Sequence, residues 1–340
     1  MRKHTMKEVA KEASVACSTV SRYINRSGYV DIETGERIAQ AIAKLNYAVP
    51  MQEKPAFVKK KVIVLSVTDI GNPFYSVLAR HIQTMLYEKG YTMVLFDSKD
   101  GKLELDAIKL AQDFSAQGLI VGTIHYSEDI KEAVEKASIP TVILNACADG
   151  NIDCVHVDGD MATYIATKHL LSLGHKHIVY AGGMAKTMIG MSRRQGYLRA
   201  MEEYGLTPGP QDVLEQGLSQ EAGYEMGRVI ASFKKSPTAI CCANDITALG
   251  VLSALQERGI KIPDDISVTG VDDIVFAQKF TPSLTTVSNK PRQFAEKAMA
   301  LLFHRLEHNT NKEPQDLAVS HHLIMRASTA PPKESKSIRS

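Results

Sequence analysis

The sequence has few cysteines and no long hydrophobic run, and each shortage excludes a class of protein. The five cysteines are an odd number without a C-x-x-C spacing, which argues against a disulfide framework and against a zinc site. No apolar stretch is long enough to span a bilayer, and the first residues, MRKHTMKEVAKEAS, lack the apolar core of a signal peptide. We therefore expect a cytoplasmic protein with reduced cysteines and without a bound metal or other cofactor.

Signals of catalysis are also missing. YAGGMAK contains neither G-x-G-x-x-G nor G-K-(S/T), and GMSRRQG does not form the G-x-S-x-G elbow of a nucleophile. His175 and His177 in HKH are interpreted as a solvated turn, and the adjacent His321 and His322 should point to opposite faces of a strand. An enzyme is therefore not expected.

The charge of the chain is concentrated at one end. The net charge of the 340 residues is only +2, but residues 1–61 hold 12 Lys and Arg against 6 Asp and Glu, which leaves 28 against 32 for the rest. A small basic domain on a mildly acidic body is typical of a protein that binds a polyanion through the small domain. Charge alone fits a solvated basic face equally well.

Residues 1–47 carry the signals of three short helices. Thr5 followed by Glu8 is a capping box, a second helix begins near Cys17, and Asp31 is a candidate N-cap for the third. The short SVAC connection between the first two helices favours a helix-turn-helix. The apolar positions at helical spacing are Val9, Ala10, Ala13, Val20, Ile24, Ile38, Ala41, Ile42 and Leu45.

The second helix, in VACSTVSRYINRSGYV, is unusually rich in hydroxyl groups. If it enters the major groove of DNA, Cys17 and Ser18 lie at its N-terminal end, where base edges are read, and Arg22 can bind O6 and N7 of guanine. A polar surface helix without a partner would show the same spacing. The residues that can contact phosphates are Thr19, Ser21 and Asn25.

Beyond a linker at 48–61, with two prolines and four lysines, apolar strand-like runs alternate with helical stretches. This alternation predicts an α/β body of two parallel-sheet lobes over residues 62–329. Cys241 and Cys242 fall within one such run as packing residues. The runs are VIVLSV, YTMVLFD, GLIVGTI, PTVILN, HIVYAGG, TAICCAN and ISVTGVDD.

Polar and aromatic residues follow several of these runs. Because ligands of open parallel sheets bind beyond the carboxyl ends of the strands, these residues are candidates for a ligand site. Asp245 is instead interpreted as the N-cap of the next helix. The candidates are Asp69, Phe74, Tyr75, Asn145, Asn244 and Asp272.

The stretch TMKEVAKEASVACSTVSRYINRSGYVDIETGERIAQAIAKLNY resembles the DNA-binding head of the LacI/GalR family of bacterial transcriptional regulators, above all through TVSR, Asn25 and the closing AIAKLNY. The body resembles the effector domain of the family almost end to end, and only the linker and the tail escape the resemblance. The matching body segments are NPFYSVLARHIQTMLYEKGY, HLLSLGHKHIVYAGG, SRRQGYLRAM, PTAICCANDITALGVLSALQERGIKIPDDISVTGVDD and FTPSLTTV.

The resemblance implies a homodimeric repressor of a carbohydrate-utilisation operon, which binds double-stranded operator DNA in the bacterial cytoplasm. Its effector, a sugar or phosphosugar, would lie between two lobes like those of periplasmic sugar-binding proteins. A sugar-binding site needs an aromatic ring beside the apolar face of the sugar and amides, carboxylates or a guanidinium to bind its hydroxyls. The resemblance implies that Arg193 and Asp272 occupy positions that commonly bind the effector in this family. Base-reading residues implied by the family are Cys17, Ser18 and Arg22, and backbone contacts are Thr5, Thr19, Ser21, Asn25 and Thr34.

The linker departs from the family. Relatives usually continue with P-N-x-x-A-R-x-L, which forms a hinge helix whose leucine wedges into the minor groove. In this chain Pro50 and Pro55 limit any helix to about one turn, and Ala56 replaces the leucine. We therefore expect weak DNA bending and a steep salt dependence from the lysines at 59–61. The tail at 330–340 lacks leucine heptads, which predicts disorder and a dimer.

Two other classes fit part of the sequence. The body alone is compatible with a solute-binding protein of a transporter, but the basic helical head and the lack of a signal peptide speak against this class. A sugar-modifying α/β enzyme with an accessory head would require catalytic groups in the cleft between the lobes.

Overall fold

The computed structural model describes residues 4–25, 30–47, 61–99, 101–123, 127–145, 152–183, 187–308 and 313–333. The chain divides into two compact units, Met1–Lys60 and Lys61–Ser340. We call the first unit the head and the second the body. None of the described helices is both long and apolar enough to cross a membrane.

The head contains the three predicted helices, α1 (Met6–Glu12), α2 (Cys17–Asn25) and α3 (Ile32–Lys44). The capping box is confirmed, because the Thr5 backbone N–H donates to Glu8 at 2.7 Å and the Glu8 N–H donates to the Thr5 hydroxyl at 3.4 Å. Asp31 caps α3 by accepting the Thr34 N–H at 2.9 Å. The fully buried members of the predicted core are Val9, Ala10, Ala13, Val20, Ile38 and Ala41.

Within the described residues, the body contains two six-stranded sheets, and all seven predicted strands are present. Five further strands, β5, β7, β10, β11 and β12, have only three to five residues each. The strands are β1 (Lys61–Val67), β2 (Tyr91–Asp97), β3 (Gly118–Gly122), β4 (Thr141–Leu144), β5 (Asp153–Val157), β6 (Ile178–Gly182), β7 (Val213–Glu215), β8 (Ala239–Cys242), β9 (Ser267–Asp272), β10 (Thr285–Ser288), β11 (Asp316–Val319) and β12 (His322–Ile324).

Each sheet forms the centre of one lobe. Lobe 1 has the strand order β11-β5-β4-β3-β1-β2, lobe 2 has the order β12-β10-β9-β8-β6-β7, and every pairing is parallel except that of β10 with β12. The predicted two-lobed parallel architecture is therefore confirmed. The helices of the body are α4 (Pro73–Glu88), α5 (Glu104–Asp113), α6 (Glu128–Ala137), α7 (Gly159–Ser172), α8 (Met188–Glu203), α9 (Gln220–Ala231), α10 (Asp245–Glu257) and α11 (Pro291–His308), with short 3-10 helices at Pro210–Asp212 and Val275–Gln278.

In the part of the body that the structure describes, the chain passes between the lobes three times. It leaves lobe 1 after β5. It returns to lobe 1 after β10, where α11 packs on β3, β4 and β5, and it crosses again between β11 and β12. The crossing segments lie near residues 158, 289–290 and 320–321. These three segments connect the two lobes, so each lobe is assembled from separate parts of the sequence.

Helices α7 and α8 approach each other unusually closely. A Cβ atom at Gly196 would lie 2.0 Å from the Asp160 carbonyl oxygen and 2.4 Å from the Thr163 hydroxyl. The Thr163 hydroxyl already donates to the Arg193 carbonyl across the same contact at 2.5 Å. Glycine is therefore required where these helices touch, and this contact holds the first turns of α8 in place.

The solvated turn predicted at HKH is wrong. His175 is 2% exposed, and its ring nitrogens lie 3.0 Å from the Thr238 hydroxyl and 2.9 Å from the Ala330 carbonyl oxygen. His177 contacts Asp212 at 3.1 Å. Burial lowers the pKa of His175, so the neutral ring fits this site. A segment distant in the sequence covers this turn, which the local sequence does not reveal.

Two predicted boundaries shift. Lys61, assigned to the linker, is the first residue of β1, whereas residues 48–60 lie outside the described part of the chain. Residues 330–333, assigned to a disordered tail, lie against lobe 2. There the Ala330 N–H donates to the Ser267 hydroxyl at 3.0 Å and Lys333 pairs with Asp265 at 2.9 Å. Residues 334–340 lie outside the described ranges.

Candidate functional site

A cavity of about 360 Å³ lies between the lobes, at the carboxyl ends of the strands. Residues of α4 and residues that follow β1 and β4 form one wall, and residues of α8 and β9 and those that follow β8 and β10 form the other. The structure brings every residue of the predicted ligand site to this cavity. They are Asp69, Phe74, Tyr75, Asn145, Arg193, Asn244 and Asp272.

The wall of lobe 2 contains a buried ion pair. Arg193 Nη2 lies 3.5 Å from Asp272 Oδ1, and Asn289 Nδ2 donates to the same oxygen at 2.7 Å. Burial raises the pKa of Asp272 to about 6, although the Arg193 charge and the amide groups of Asn289 and Asn72 favour the ionised form. The carboxylate is therefore incompletely compensated by its protein neighbours.

The backbone at the end of β9 is strained. Asp272 has a φ of 118° and Asp273 a φ of 58°, in a region that residues other than glycine seldom occupy. Arg326 stabilises this turn, because its guanidinium contacts Asp273 at 2.5 Å and donates to the Leu284 carbonyl at 2.8 Å. The strained turn directs the Asp272 carboxylate to the cavity.

Three buried polar atoms of the cavity have no hydrogen-bond partner among the described residues. They are Arg193 Nε, a donor, and Asn145 Oδ1 and Asn289 Oδ1, both acceptors. Buried polar groups in native proteins are nearly always satisfied by protein, water or ligand. A ligand that carries donors and acceptors together would satisfy all three.

The aromatic pair occupies the start of α4, where the Asn72 side chain accepts the Phe74 N–H at 3.0 Å. The rings of Phe74 and Tyr75 meet edge to face, with centroids 5.3 Å apart. Phe74 also packs against Phe294 and is 6% exposed, so it mainly supports the wall. Tyr75 is half-buried, its hydroxyl accepts the Asn145 amide at 3.4 Å, and burial raises its pKa.

Asn244, and not Asp245, caps α10. The Asn244 Oδ1 accepts the Thr247 N–H at 2.8 Å, and its Nδ2 donates to the Leu218 carbonyl at 3.0 Å. Both polar atoms of Asn244 are therefore engaged inside the protein, although the residue lines the cavity. Asp245 is the first helical residue and fully buried, where burial raises its pKa and it accepts the Ile274 N–H at 2.9 Å. The predicted cap was wrong by one residue.

The sequence interpretation missed part of the lining. Asn289 directly follows β10, whose residues Thr285–Ser288 include a single apolar side chain and therefore form no apolar run that would indicate a strand. Lys102 is exposed and lies on a loop without a regular pattern. The lining residues that were missed are Thr68, Asn72, Lys102, Val157, Thr187, Ile189, Gln216, Gly217, Leu218, Ser219, Ala222 and Asn289.

The head displays a polar surface on α2. Cys17, Ser18 and Arg22 are exposed, and Ser18 and Arg22 are one helical turn apart on the same face. Thr19 and Ser21 are half-buried beside them. The remaining predicted DNA contacts differ in their setting. Thr5 is the N-cap of α1, Thr34 lies in the first turn of α3 and accepts from Arg37 at 3.3 Å, and the side chain of Asn25 lies outside the described part.

Comparison with known proteins identifies both units. Residues 5–49 match the lacI family of bacterial regulatory proteins, and residues 167–329 match the periplasmic binding protein-like domain. The HTH-type transcriptional repressor PurR of Histophilus somni is 33% identical over 331 residues, which cover 95% of this chain and 98% of that protein.

Solved structures agree with this relation. The complex of the transcriptional regulator CelR with cellobiose has a TM-score of 0.72 at 25% identity and covers 96% of this chain and 100% of that chain. A LacI family regulator from Enterococcus faecium with bound ribose has a TM-score of 0.73 at 27% identity and covers 80% and 100%. The PurR relative is a repressor and the matched family consists of regulatory proteins, which agrees with the prediction that this chain is not an enzyme. The chain belongs to the lacI family of bacterial regulatory proteins, as a DNA-binding transcriptional repressor with an effector-binding domain.

Proposed function

We propose that a small neutral sugar, bound in the cavity between the lobes, controls the affinity of this repressor for the operator of a carbohydrate-utilisation operon. The observation that carries the proposal is the convergence of three unsatisfied buried atoms, Arg193 Nε, Asn145 Oδ1 and Asn289 Oδ1, on a cavity of about 360 Å³. A sugar hydroxyl both donates and accepts, so neighbouring hydroxyls can serve the amide oxygens and the guanidinium together. Tyr75, supported from behind by Phe74, offers apolar surface to the ring.

The charges of the lining favour a neutral sugar over a phosphosugar. Arg193 is already paired with Asp272, and Asp69 adds a second carboxylate. Lys102 is the other cationic side chain among the described lining residues. It is exposed, so it does not place a buried positive charge beside a phosphate. Bound ribose and cellobiose in two similar regulators support the same class of effector.

Binding of the sugar would change how the head binds DNA. Cys17, Ser18 and Arg22 would read base edges in the major groove, while Thr5, Thr19, Ser21, Asn25 and Thr34 would contact the DNA backbone. Two heads carried by a homodimer would bind the half-sites of a pseudo-palindrome in the bacterial cytoplasm. Because binding is linked, the factor by which the sugar changes operator affinity equals the factor by which the operator changes sugar affinity.

The test is a binding screen on the full-length protein. Neutral mono- and disaccharides, sugar phosphates and nucleobases would be compared by thermal shift, and the ligand found would be titrated by calorimetry. A ligand at a hundred times its dissociation constant should stabilise the protein by about 2.7 kcal/mol. Among these classes, we expect neutral sugars alone to reach that effect.

Variants of the cavity sharpen the test. Arg193→Lys keeps the charge but removes the Nε donor, and it should weaken sugar binding at least roughly tenfold, by analogy with lost buried hydrogen bonds to charged groups. Lys235→Gln, on the exposed surface of lobe 2, is the matched control and should bind normally. Binding restricted to sugar phosphates or nucleobases, or undiminished binding by Arg193→Lys, would contradict the proposed effector.

A further inference from the structure

A second group of polar side chains lies at the outer edge of lobe 1, away from the cavity. Cys154 and His156 belong to β5 and Asp316 belongs to the edge strand β11. One ligand atom from each, the thiol sulfur, an imidazole nitrogen and a carboxylate oxygen, lies within 4.8 Å of the other two. We propose that these three residues form a binding site for a zinc-like divalent metal ion.

The strand register produces this arrangement. Cys154 and His156 are two residues apart in β5, so their side chains share one face of the sheet, and Asp316 is the partner of Cys154 in the β5–β11 ladder. His156 Nδ1 lies 2.8 Å from Asp316 Oδ1. In a tetrahedral zinc site with metal–ligand bonds of about 2.0 to 2.3 Å, ligand atoms are about 3.4 to 3.6 Å apart. The separation of the His156 and Asp316 atoms therefore needs to grow by about 0.6 Å, and the other two separations need to shrink by at most about 1.2 Å, which rotation of the side chains can supply.

The opposite face of the same strands is held firmly. Asp153 receives two hydrogen bonds from Arg305 of α11, at 2.7 and 3.0 Å, and a third from the Gln315 N–H at 2.9 Å. The Cys154 N–H donates to the Gln315 carbonyl at 2.8 Å. Because these bonds position the backbone of both strands, the three ligand side chains are preorganised before an ion arrives.

The set of ligand atoms selects the ion. Thiolate and imidazole favour zinc or cobalt over magnesium or calcium, which prefer oxygen ligands. Three protein ligands leave the fourth tetrahedral position to water, and the half-exposed Asp316 side chain opens that position to solvent, whereas Cys154 is 1% exposed. Binding would release the thiol proton to solvent, so affinity should fall as the pH falls.

The site would also link distant parts of the chain. Asp316 lies four residues before the third crossing between the lobes, and Cys154 precedes the first crossing by a similar distance. A bound ion would therefore join β5 and β11, the strands that lead into the first and the third crossing, at the edge of lobe 1. The site does not depend on the identity of the effector, because none of its residues lines the cavity.

Cobalt titration of the metal-free full-length protein tests the proposal. We expect one Co²⁺ per chain, a thiolate-to-cobalt charge-transfer band in the near ultraviolet, and displacement of this band by Zn²⁺ but not by Mg²⁺. His156→Asn and Asp316→Asn should each weaken binding roughly tenfold or more, because even residues behind the ligands of a metal site contribute that much. Cys154→Ser should abolish the band.

Matched controls separate this site from adventitious binding. His322→Asn removes an exposed imidazole from β12, and Cys17→Ser removes the exposed thiol of the head, so both should bind Co²⁺ normally. Asp316→Asn changes an exposed side chain and is informative even where the Cys154 variant folds poorly. A charge-transfer band that survives in Asp316→Asn and His156→Asn with unchanged affinity, or the lack of any band, would show that these residues form only a hydrogen-bonded pair beside a buried thiol.

Discussion

Replacing Asp272 with asparagine should stabilise the free protein. Asp272 is 4% exposed, and burial raises its pKa from 3.8 to about 6. Each pKa unit corresponds to about 1.36 kcal/mol. The difference between 3.8 and about 6 therefore means that the buried Asp272 charge costs about 3 kcal/mol of stability at neutral pH. The attraction to Arg193 already favours the charged form, so the figure is a net cost. Asparagine has the shape of the protonated acid and is never charged, so the cost should disappear.

The pH dependence has a definite sign. Because the pKa is higher in the folded than in the unfolded state, the folded protein takes up a proton as the pH falls from about 7 to 4, and this uptake stabilises wild type. The advantage of Asp272→Asn should therefore be complete at pH 8 and vanish near pH 4. At about 2 to 4 °C per kcal/mol for a domain of this size, the melting temperature at pH 8 should rise by about 6 to 12 °C.

The assay is thermal unfolding of both proteins between pH 4 and pH 8, with calorimetry of effector binding at pH 8. Asp265→Asn is the control, because Asp265 is exposed, pairs with Lys333, and has a lowered pKa, so its replacement should reduce stability at pH 8. If the proposal for the cavity holds, Asp272→Asn should bind the effector poorly despite its higher stability. Parallel pH profiles, or a less stable Asp272→Asn at pH 8, would show that Arg193 fully compensates the buried charge and would refute the reasoning.

Four further changes test the head, the linker and the packing of lobe 2. Arg22→Ala should lose about 1 to 3 kcal/mol of discrimination at one base pair while binding to random DNA stays constant in competition titrations, and an equal loss on both would make Arg22 a phosphate contact. Replacement of the lysines at 59–61 by glutamine should lower the slope of log affinity against log salt by about 1 for each phosphate that is no longer neutralised, and an unchanged slope would mean that other residues neutralise the phosphates. In circular-permutation gel shifts, Phe57→Ala should leave the weak DNA bending unchanged, whereas loss of a strong kink would mean that Phe57 is the wedge. Gly196→Ala should destabilise the body by about 1 to 3 kcal/mol in urea unfolding, because its Cβ would lie 2.0 Å from the Asp160 carbonyl oxygen, and unchanged stability would show that α7 and α8 separate easily.

Features that depend on neighbours in the sequence were predictable. The capping box of Thr5 and Glu8 and the Asp31 cap involve residues three apart, so the helices of the head could be placed correctly. The seven longer apolar runs were recognised as strands for the same reason. The five other strands form no comparable apolar run, and β11 and β12 are extended because they pair with β5 and β10, which are distant in the sequence.

The position of the cavity could be predicted from the rule that ligands bind beyond the carboxyl ends of parallel strands, and Asp69, Asn145 and Asp272 all line it. The rule does not say which polar atoms already have hydrogen-bond partners within the protein. It could therefore not show that the Asn244 side-chain amide caps α10 and bonds to the Leu218 carbonyl. Nor could the spacing of the cysteines indicate the cluster at Cys154, since its carboxylate comes from a strand 162 residues further along the chain.

The three crossings near residues 158, 289–290 and 320–321 also limit how the effector domain can be recombined. A chimaera that takes a whole lobe from another regulator needs three junctions, since a single splice would combine strands of one sheet from two parents. The same topology makes the last part of the gene unusually sensitive to truncation. A stop codon at 309 would remove β11 from lobe 1 and β12 from lobe 2, and so expose a new edge on both sheets at once.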